Sequence, residues 1–254
     1  MIQTAFNAAR ESGEILKKYY CKDCGIYKKG DFDIVTDADY ESEKKAIEII
    51  SQKFPNHSFL CEECSFSGNN DSEYKWLVDA LDGTINFSRF VPLFSVSIAL
   101  LKNDVPILSV IYNPITEDFY YAEQGKGAYL NDKRLFISKN NKLNDSIVVT
   151  DLTKDRNFHE EFFKTMSALS KDVLGIRLTQ STSINLAFVA EGRYDIFIKN
   201  KINYYDAIAG VLICEEAGGN AIDFLGNRIS KFSKGIIVSN SLLTTKVLEK
   251  IQLL

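Results

Sequence analysis

A chain of 254 residues, 45% hydrophobic and 25% charged, carries enough apolar side chains for a substantial core and sits at the upper end of what one domain holds. Its 34 acidic residues outnumber 30 basic ones, giving a formal net charge of -4, so the basic footprint of a nucleic-acid-binding protein is absent. No apolar run reaches membrane-spanning length, and the N-terminus lacks a basic segment followed by an uninterrupted apolar stretch, which makes a cytoplasmic protein with no membrane contact the expectation.

Apolar periodicity predicts a helix over residues 2–19, a hairpin-like pair over 25–36, and a helix over 40–53 that ends before Pro55. A short apolar strand follows at 57–63. Further strands are predicted at 74–81, 94–102, 105–112 and 119–123, separated by Asn-Asp, Asn-Pro and Gln-Gly turns. From about Ser138 the pattern alternates: strand 146–150, helix 158–170, strand 173–178, helix 181–192, strand 195–198, a helix headed by Asp206, strand 235–239 and a final helix after Asn240. Alternation of this kind argues for a layered α/β architecture. Two subdomains, 1–135 and 136–254, are expected to share one cleft, since no repeat, low-complexity tract or long linker intervenes. The run Lys139-Asn140-Asn141-Lys142 reads as a solvated loop.

From Trp76 to Phe87 the chain reads W-L-V-D-A-L-D-G-T-I-N-F, an apolar strand that delivers Asp79 and Asp82 into a glycine turn with Thr84 directly after it. Two carboxylates so placed at the end of a rigid strand can converge on one hard divalent cation, which takes oxygen ligands. Gly83 lets the backbone approach a ligand closely, and a helical turn opening at Gly83-Thr84 would present free amides to an anion such as phosphate. An Asp-Gly pair also marks ordinary hairpins, so the segment alone leaves the simple turn open.

Two further segments bear on that choice. Upstream, F-D-I-V-T-D-A-D (Phe32 to Asp39) leads into a helix, and H-S-F-L-C-E-E (His57 to Glu63) closes a strand. Downstream, Y-Y-D-A-I-A-G-V-L-I-C-E-E-A-G-G (Tyr204 to Gly219) puts Asp206 at the head of an apolar, small-residue helix that stops at Gly218-Gly219; helix capping is a local reading of that aspartate.

Together these segments resemble the two signatures of the inositol monophosphatase family, W-x-(I/V)-D-P-(I/L)-D-G-T-x-N-F and W-D-x-A-A-G-x-x-(I/V)-x-x-E-A-G-G. The likeness continues through A-A-R-E-S-G-E-I-L (Ala8 to Leu16), P-L-F-S-V-S-I-A-L (Pro92 to Leu100) and N-L-A-F-V-A-E-G-R-Y-D (Asn185 to Asp195), and so spans the chain. It implies a sandwich of alternating helix and sheet layers, a lithium-sensitive, magnesium-dependent phosphomonoesterase, and a homodimer. It implies two or three Mg2+ ions, with Mn2+ as an alternative, held by Glu62, Asp79, Asp82, Asp206 and the Leu81 carbonyl. Thr84 and Asp39 would orient and deprotonate the attacking water beside Glu62, while Gly83, Thr84, Gln180, Ser181, Thr182, Lys199 and Asp206 would face a small phosphate ester. Asp33 and Glu63 would support these groups from behind, with Lys28 over the outer metal. The local alternatives, a surface role for Glu62 and a turn cap for Asp79, account for these residues one at a time; the metal reading accounts for them together.

Only His57 and His159 are present, so carboxylates rather than imidazoles must hold a metal, which points to magnesium or manganese. Cys21/Cys24 and Cys61/Cys64 form two C-x-x-C pairs; zinc, redox chemistry and incidental reduced thiols are the three readings of them.

The chain departs from the animal-type inositol pattern at Ala80, Cys61, Tyr205 and Gln180. Lys199 falls seven residues before Asp206, where inositol-preferring members often carry a glutamate that accepts ring hydroxyls; a cation accepts none. Inositol or sugar monophosphates are the leading substrates, with fructose 1,6-bisphosphate, 3'-phosphoadenosine 5'-phosphate or NADP as alternatives, and Lys199 pointing to solvent as the bland reading. A regulatory or RNA-associated module on the same fold is the non-enzyme alternative.

Overall fold

The computed structural model describes residues 1–68 and 72–253. The chain begins with helix α1 (Ile2–Tyr19), a small hairpin of β1 (Ile26–Gly30) and β2 (Asp33–Thr36), and α2 (Asp37–Lys53). It continues through β3 (Ser58–Cys61), β4 (Ser65–Gly68), β5 (Tyr74–Asp82), the short α3 (Thr84–Ser88), β6 (Ser95–Lys102), β7 (Val105–Asn113), β8 (Asp118–Glu123), β9 (Gly127–Leu130) and β10 (Lys133–Arg134). The remainder comprises β11 (Ile147–Thr150), α4 (His159–Ser170), β12 (Gly175–Leu178), α5 (Thr182–Ala190), β13 (Ile196–Lys199), α6 (Tyr204–Glu216), β14 (Asn220–Ile222), β15 (Ile236–Ser239) and α7 (Ser241–Ile251).

Strands β3 to β10 form an eight-stranded sheet in the order β10-β9-β8-β7-β6-β5-β3-β4, and β11 to β15 a five-stranded sheet in the order β12-β11-β13-β15-β14. The strand period of two sorts side chains to opposite faces. Trp76, Val78, Ile98, Leu100 and Val110 pack against Ala5, Ala8, Ala9 and Leu16 of α1 and Ala46 and Ile50 of α2. Their sequence neighbours Leu77, Ala99 and Ile111 turn the other way, onto α5 and α6. In the second sheet Val149, Phe197, Ile236 and Val238 meet those same two helices, while Val148, Ile196, Ile198 and Ile237 meet Phe162, Met166 and Leu169 of α4 and Leu243 and Val247 of α7. The result is the layered α/β sandwich expected from the sequence, with five layers in the order helix, sheet, helix, sheet, helix.

Position in the stack explains helix composition. Helix α1 faces the solvent on one side and is amphipathic, whereas residues Ala207 to Cys214 of α6, in the middle layer, are buried without interruption. The small residues of α6 allow α5 and α6 to pack closely: a Cβ built on Gly210 would lie 2.4 Å from the Leu186 Cβ.

Helix α2 starts at Asp37 rather than Tyr40, because Thr36 and Asp39 form a capping box in which the Thr36 amide donates to Asp39 Oδ2 at 2.8 Å. The short strands β4, β9, β10 and β14 were not anticipated; β4, β10 and β14 are edge strands and β9 lies next to one, where pattern carries little information. No helix among the described residues is long and apolar enough to cross a membrane.

Gly210→Ala is expected to destabilise the fold by about 1–3 kcal/mol through overpacking against Leu186. Denaturant unfolding checks this.

Candidate active site

Asp79 and Asp82 come from the end of β5, at 3% and 8% exposure. Residues three apart on a regular strand point to opposite faces, but the pairing of β5 with β6 shifts register between Asp79 and Asp82, and both side chains line one cavity of about 310 Å³. Gly83 then turns with φ of 94° to start α3, and a Cβ there would lie 2.7 Å from the Leu93 carbonyl oxygen. The helical turn conditionally expected at Gly83-Thr84 is thus present.

Glu62 enters from the turn after β3, which runs parallel to β5 with Cys61 opposite Val78, so that Glu62 arrives beside Asp79. The turn is held by Glu43 of α2, a 1%-exposed carboxylate that accepts from the Glu63 amide at 3.0 Å and the Cys64 amide at 2.7 Å. Asp206 arrives from the first turn of α6, and Asn203 donates to its Oδ2 at 3.3 Å. One oxygen each from Glu62, Asp79 and Asp206 lies within 4.8 Å of the others. Burial and then the charge of Asp206 push Glu62 up to about 8. Burial raises Asp206 to about 7 despite the opposing ammonium of Lys199, and raises Asp79 well above the carboxylate range, with Glu62, Asp82 and Asp206 adding to it.

Asp82 lines the same cavity but is held differently. It accepts from the Ser181 hydroxyl, from the Thr182 amide at 3.2 Å and from the Ser183 amide at 2.9 Å, capping α5 across the two sheets. Ser181 is therefore 1% exposed and turned to Asp82 rather than lining the cavity, a correction to its expected place against substrate.

The Thr84 hydroxyl lies 3.1 Å from Asp39 Oδ1 and 3.1 Å from the Leu81 carbonyl oxygen. Asp39 is 4% exposed, and burial, opposed by the Thr36 donors, raises it to about 6. Thr84, Leu81, Gly83, Gln180, Thr182, Lys199 and Asp33 all line the cavity. Glu63 sits behind Glu62, paired with Lys29. Lys28 is exposed, and it is Lys29 whose ammonium comes within 3.8 Å of Glu62; adjacent residues of β1 face opposite ways, so only one of the two lysines can reach the carboxylates.

Asp151, Lys154, Lys201 and Glu43 are among the cavity or supporting residues that escaped the sequence reading. Asp151, at the end of β11, accepts from the Gln180 amide at 2.7 Å, the Thr182 hydroxyl at 3.0 Å and the Asn185 side chain at 2.8 Å. An acidic residue at the C-terminal end of a parallel strand was the available signal. Lys154 lines the cavity and pairs with Asp33, Lys201 lines it beside Lys199, and Glu43 works from behind.

Neither histidine lines the cavity. His57 takes the Trp76 indole N–H at 3.0 Å between the stacked rings of Phe54 and Tyr74, and His159 bonds the Thr153 carbonyl at 2.9 Å. All five cysteines are free thiols, and among the described residues Glu62, Asp79 and Asp206 are the one group of side chains arranged to hold a metal, so the four-cysteine zinc alternative has no geometric support.

The model of the inositol monophosphatase family matches residues 1–253. An inositol-1-monophosphatase of Caulobacter vibrioides is 36% identical over 99% of this chain and 99% of its own. A Nus factor SuhB of Haemophilus influenzae is 34% identical over 99% of this chain and 96% of its own. The crystal structure of the extragenic suppressor protein suhB from Bartonella henselae superposes with a TM-score of 0.95 at 32% identity, covering 98% of this chain and 97% of that one. With a fold, a cavity and a sequence that agree along its length, the chain belongs to the inositol monophosphatase family.

Proposed function

We propose that this chain is a Mg2+-dependent phosphomonoesterase that hydrolyses small polyol or sugar phosphates by in-line attack of water. The observation that carries the reading is the convergence of Glu62, Asp79 and Asp206 within 4.8 Å. Three acids, Asp79 buried and Glu62 and Asp206 half-buried, whose protons are held well above the usual carboxylate range form a set in want of a cation, and an all-oxygen donor set fits a hard divalent ion. Glu62, Asp79, Asp82, Asp206 and the Leu81 carbonyl would hold Mg2+, or Mn2+ in its place; bound there, the ions would neutralise the phosphate, acidify water and stabilise the departing alkoxide.

The chain's own residues supply orientation and a proton path. The Thr84 hydroxyl has one proton and two acceptors, Asp39 and the Leu81 carbonyl. Donated to Asp39, that proton leaves the hydroxyl's lone pairs to take the proton of the attacking water, with Asp39 as the final acceptor. The free amides at the start of α3 face the phosphate that Gly83 allows to approach. The name of the Haemophilus influenzae relative raises a non-enzyme reading, but a pure binding module has no need for a convergent carboxylate triad or for the Thr84–Asp39 pair.

Phosphate release from inositol 1-phosphate, glycerol 2-phosphate, fructose 1,6-bisphosphate, histidinol phosphate and 3'-phosphoadenosine 5'-phosphate is the test, with Mg2+, without metal, and with Li+. Mg2+-dependent, Li+-sensitive turnover is expected; folded, metal-loaded protein inert toward every compound would overturn the reading. Thr84→Ala should lower kcat by about 10²–10⁴-fold while Mg2+ affinity by calorimetry changes little; comparable losses in both would deny Thr84 its separate role. In chelator, the raised carboxyls of Glu62 and Asp206 keep protons in the folded state that the unfolded chain releases near pH 4. Their contribution to stability is complete below that point and disappears as pH rises through about 7 to 8. The Tm of metal-free protein should therefore fall between pH 5 and pH 8.5, and millimolar Mg2+ should raise it more at the higher pH; a chelator-insensitive Tm at both would count against cation binding at this cluster.

A further inference from the structure

Gln180, on the loop between β12 and α5, has φ of 63°, a left-handed backbone that residues other than glycine seldom adopt. Such a conformation persists only where the surrounding structure fixes it. Here a single peptide plane is held at both ends. The Thr179 carbonyl accepts from the Asn86 side chain of α3 at 2.7 Å, and the Gln180 amide of the same plane donates to Asp151 Oδ1 at 2.7 Å. Asp151, directly after β11 and 2% exposed, also accepts from the Asn185 side chain at 2.8 Å and, through Oδ2, from the Thr182 hydroxyl at 3.0 Å. Lys199 is its counter-ion, 3.8 Å from Oδ2 and donating to the same Thr182 hydroxyl at 2.8 Å.

The three residues after Gln180 are the ones that hold Asp82. Its carboxylate takes the Ser181 hydroxyl, the Thr182 amide at 3.2 Å and the Ser183 amide at 2.9 Å. Two buried carboxylates thus grip one short stretch of chain, Asp151 at its start and Asp82 at its end. We infer that Asp151 is a positioning residue for Asp82: by holding the Gln180 amide it keeps the 179–180 peptide plane turned so that the start of α5 presents its donors to Asp82. Without that acceptor nothing offsets the cost of a left-handed glutamine, and rotation of the plane carries Ser181 and the first amides of α5 off the carboxylate. The inference rests on the reading in which Asp82 helps to hold Mg2+, and it makes cation affinity depend on a residue that lies behind the loop rather than in the cluster. It also ties the need for Asp151 to the side chain at position 180, because glycine adopts the same backbone without strain.

Calorimetric titration of folded, chelator-stripped protein with Mg2+ tests this. Asp151→Ala should weaken Mg2+ binding by about tenfold, the low end of what groups that orient metal ligands contribute. In the Gln180→Gly background the same substitution should cost no more than about twofold. Asp151→Asn, which keeps an oxygen for the Gln180 amide but not the charge, should lose less than Asp151→Ala; equal losses in the two, undiminished by Gln180→Gly, would assign the effect to charge and overturn the inference. Gln180→Val leaves Asp151 in place and puts a β-branched residue at positive φ, so it should weaken Mg2+ binding severalfold. That variant decides the matter if Asp151→Ala does not fold, and unchanged affinity in it counts against the inference. Asp151→Ala protein with a lowered Tm but wild-type Mg2+ affinity would make Asp151 a matter of stability alone, overturning its positioning role while leaving the metal site standing. Wild-type protein that binds no Mg2+ removes the phosphatase reading and the inference together.

Discussion

Mutual repulsion among carboxylates crowded at one cavity is the constraint around which the rest of the molecule is arranged. Glu62, Asp79 and Asp206 bring their oxygens within 4.8 Å of one another, with Asp82 on the same cavity wall. Like charges at that range, away from bulk water, hold protons tightly or demand a cation. A fold that keeps them together must fix each from behind, and each has a separate fixture. Asp79 is placed by a nine-residue strand inside the large sheet, Glu62 by a turn whose amides are held by Glu43, Asp82 by the N-terminal amides of α5, and Asp206 by the first turn of α6. No single element could present all four.

The five-layer stack solves the problem of bringing distant segments to one place. Strand β5 ends at the edge of the middle helix layer, and α5 and α6 both begin there, so a strand terminus and two helix N-termini meet at one cleft between the sheets. This explains why α5 and α6 are apolar all round: both flanks lie against a sheet. The close approach at Gly210 keeps the two helix starts near each other, which ties packing in the middle layer to the geometry of Asp82 and Asp206.

The sequence revealed the parts of this design that are local and left unread those that depend on registry. The Asp79–Thr84 segment and the Asp206 helix announced themselves because strand, turn and helix start all lie within a dozen residues of contiguous chain. The alternation of elements was enough for the layered fold. Choosing Lys28 over Lys29 required knowing which face of β1 meets Glu62, and two adjacent lysines carry no such phase information. Asp151, Glu43 and Lys154 matter through partners 20 to 121 residues away, contacts that a single sequence does not encode in any spacing. Ser181 failed for a related reason: a serine before a helix can bond a ligand or a neighbouring carboxylate, and only the tertiary position of Asp82 decides between them.

Asp39 shows how folding and chemistry are joined in this protein. Its Oδ2 accepts from both the Thr36 amide and the Thr36 hydroxyl, closing the first turn of α2, while Oδ1 takes the Thr84 hydroxyl at 3.1 Å. One carboxylate thus serves as a helix cap and as the partner of the threonine on which the proposed proton path depends, and the cap fixes its rotamer. Removing the carboxyl would remove both functions at once, so a loss of activity in Asp39→Ala is ambiguous, whereas Thr84→Ala leaves both Thr36 bonds to Asp39 in place. Both histidines are committed elsewhere, His57 to an indole and two aromatic rings and His159 to a backbone carbonyl, so no imidazole could substitute as a base. In the proposed mechanism proton transfer then falls to an oxygen pair, and burial would make the aspartate basic enough for the task, lifting Asp39 to about 6 while its helix-capping bonds keep it aimed at Thr84.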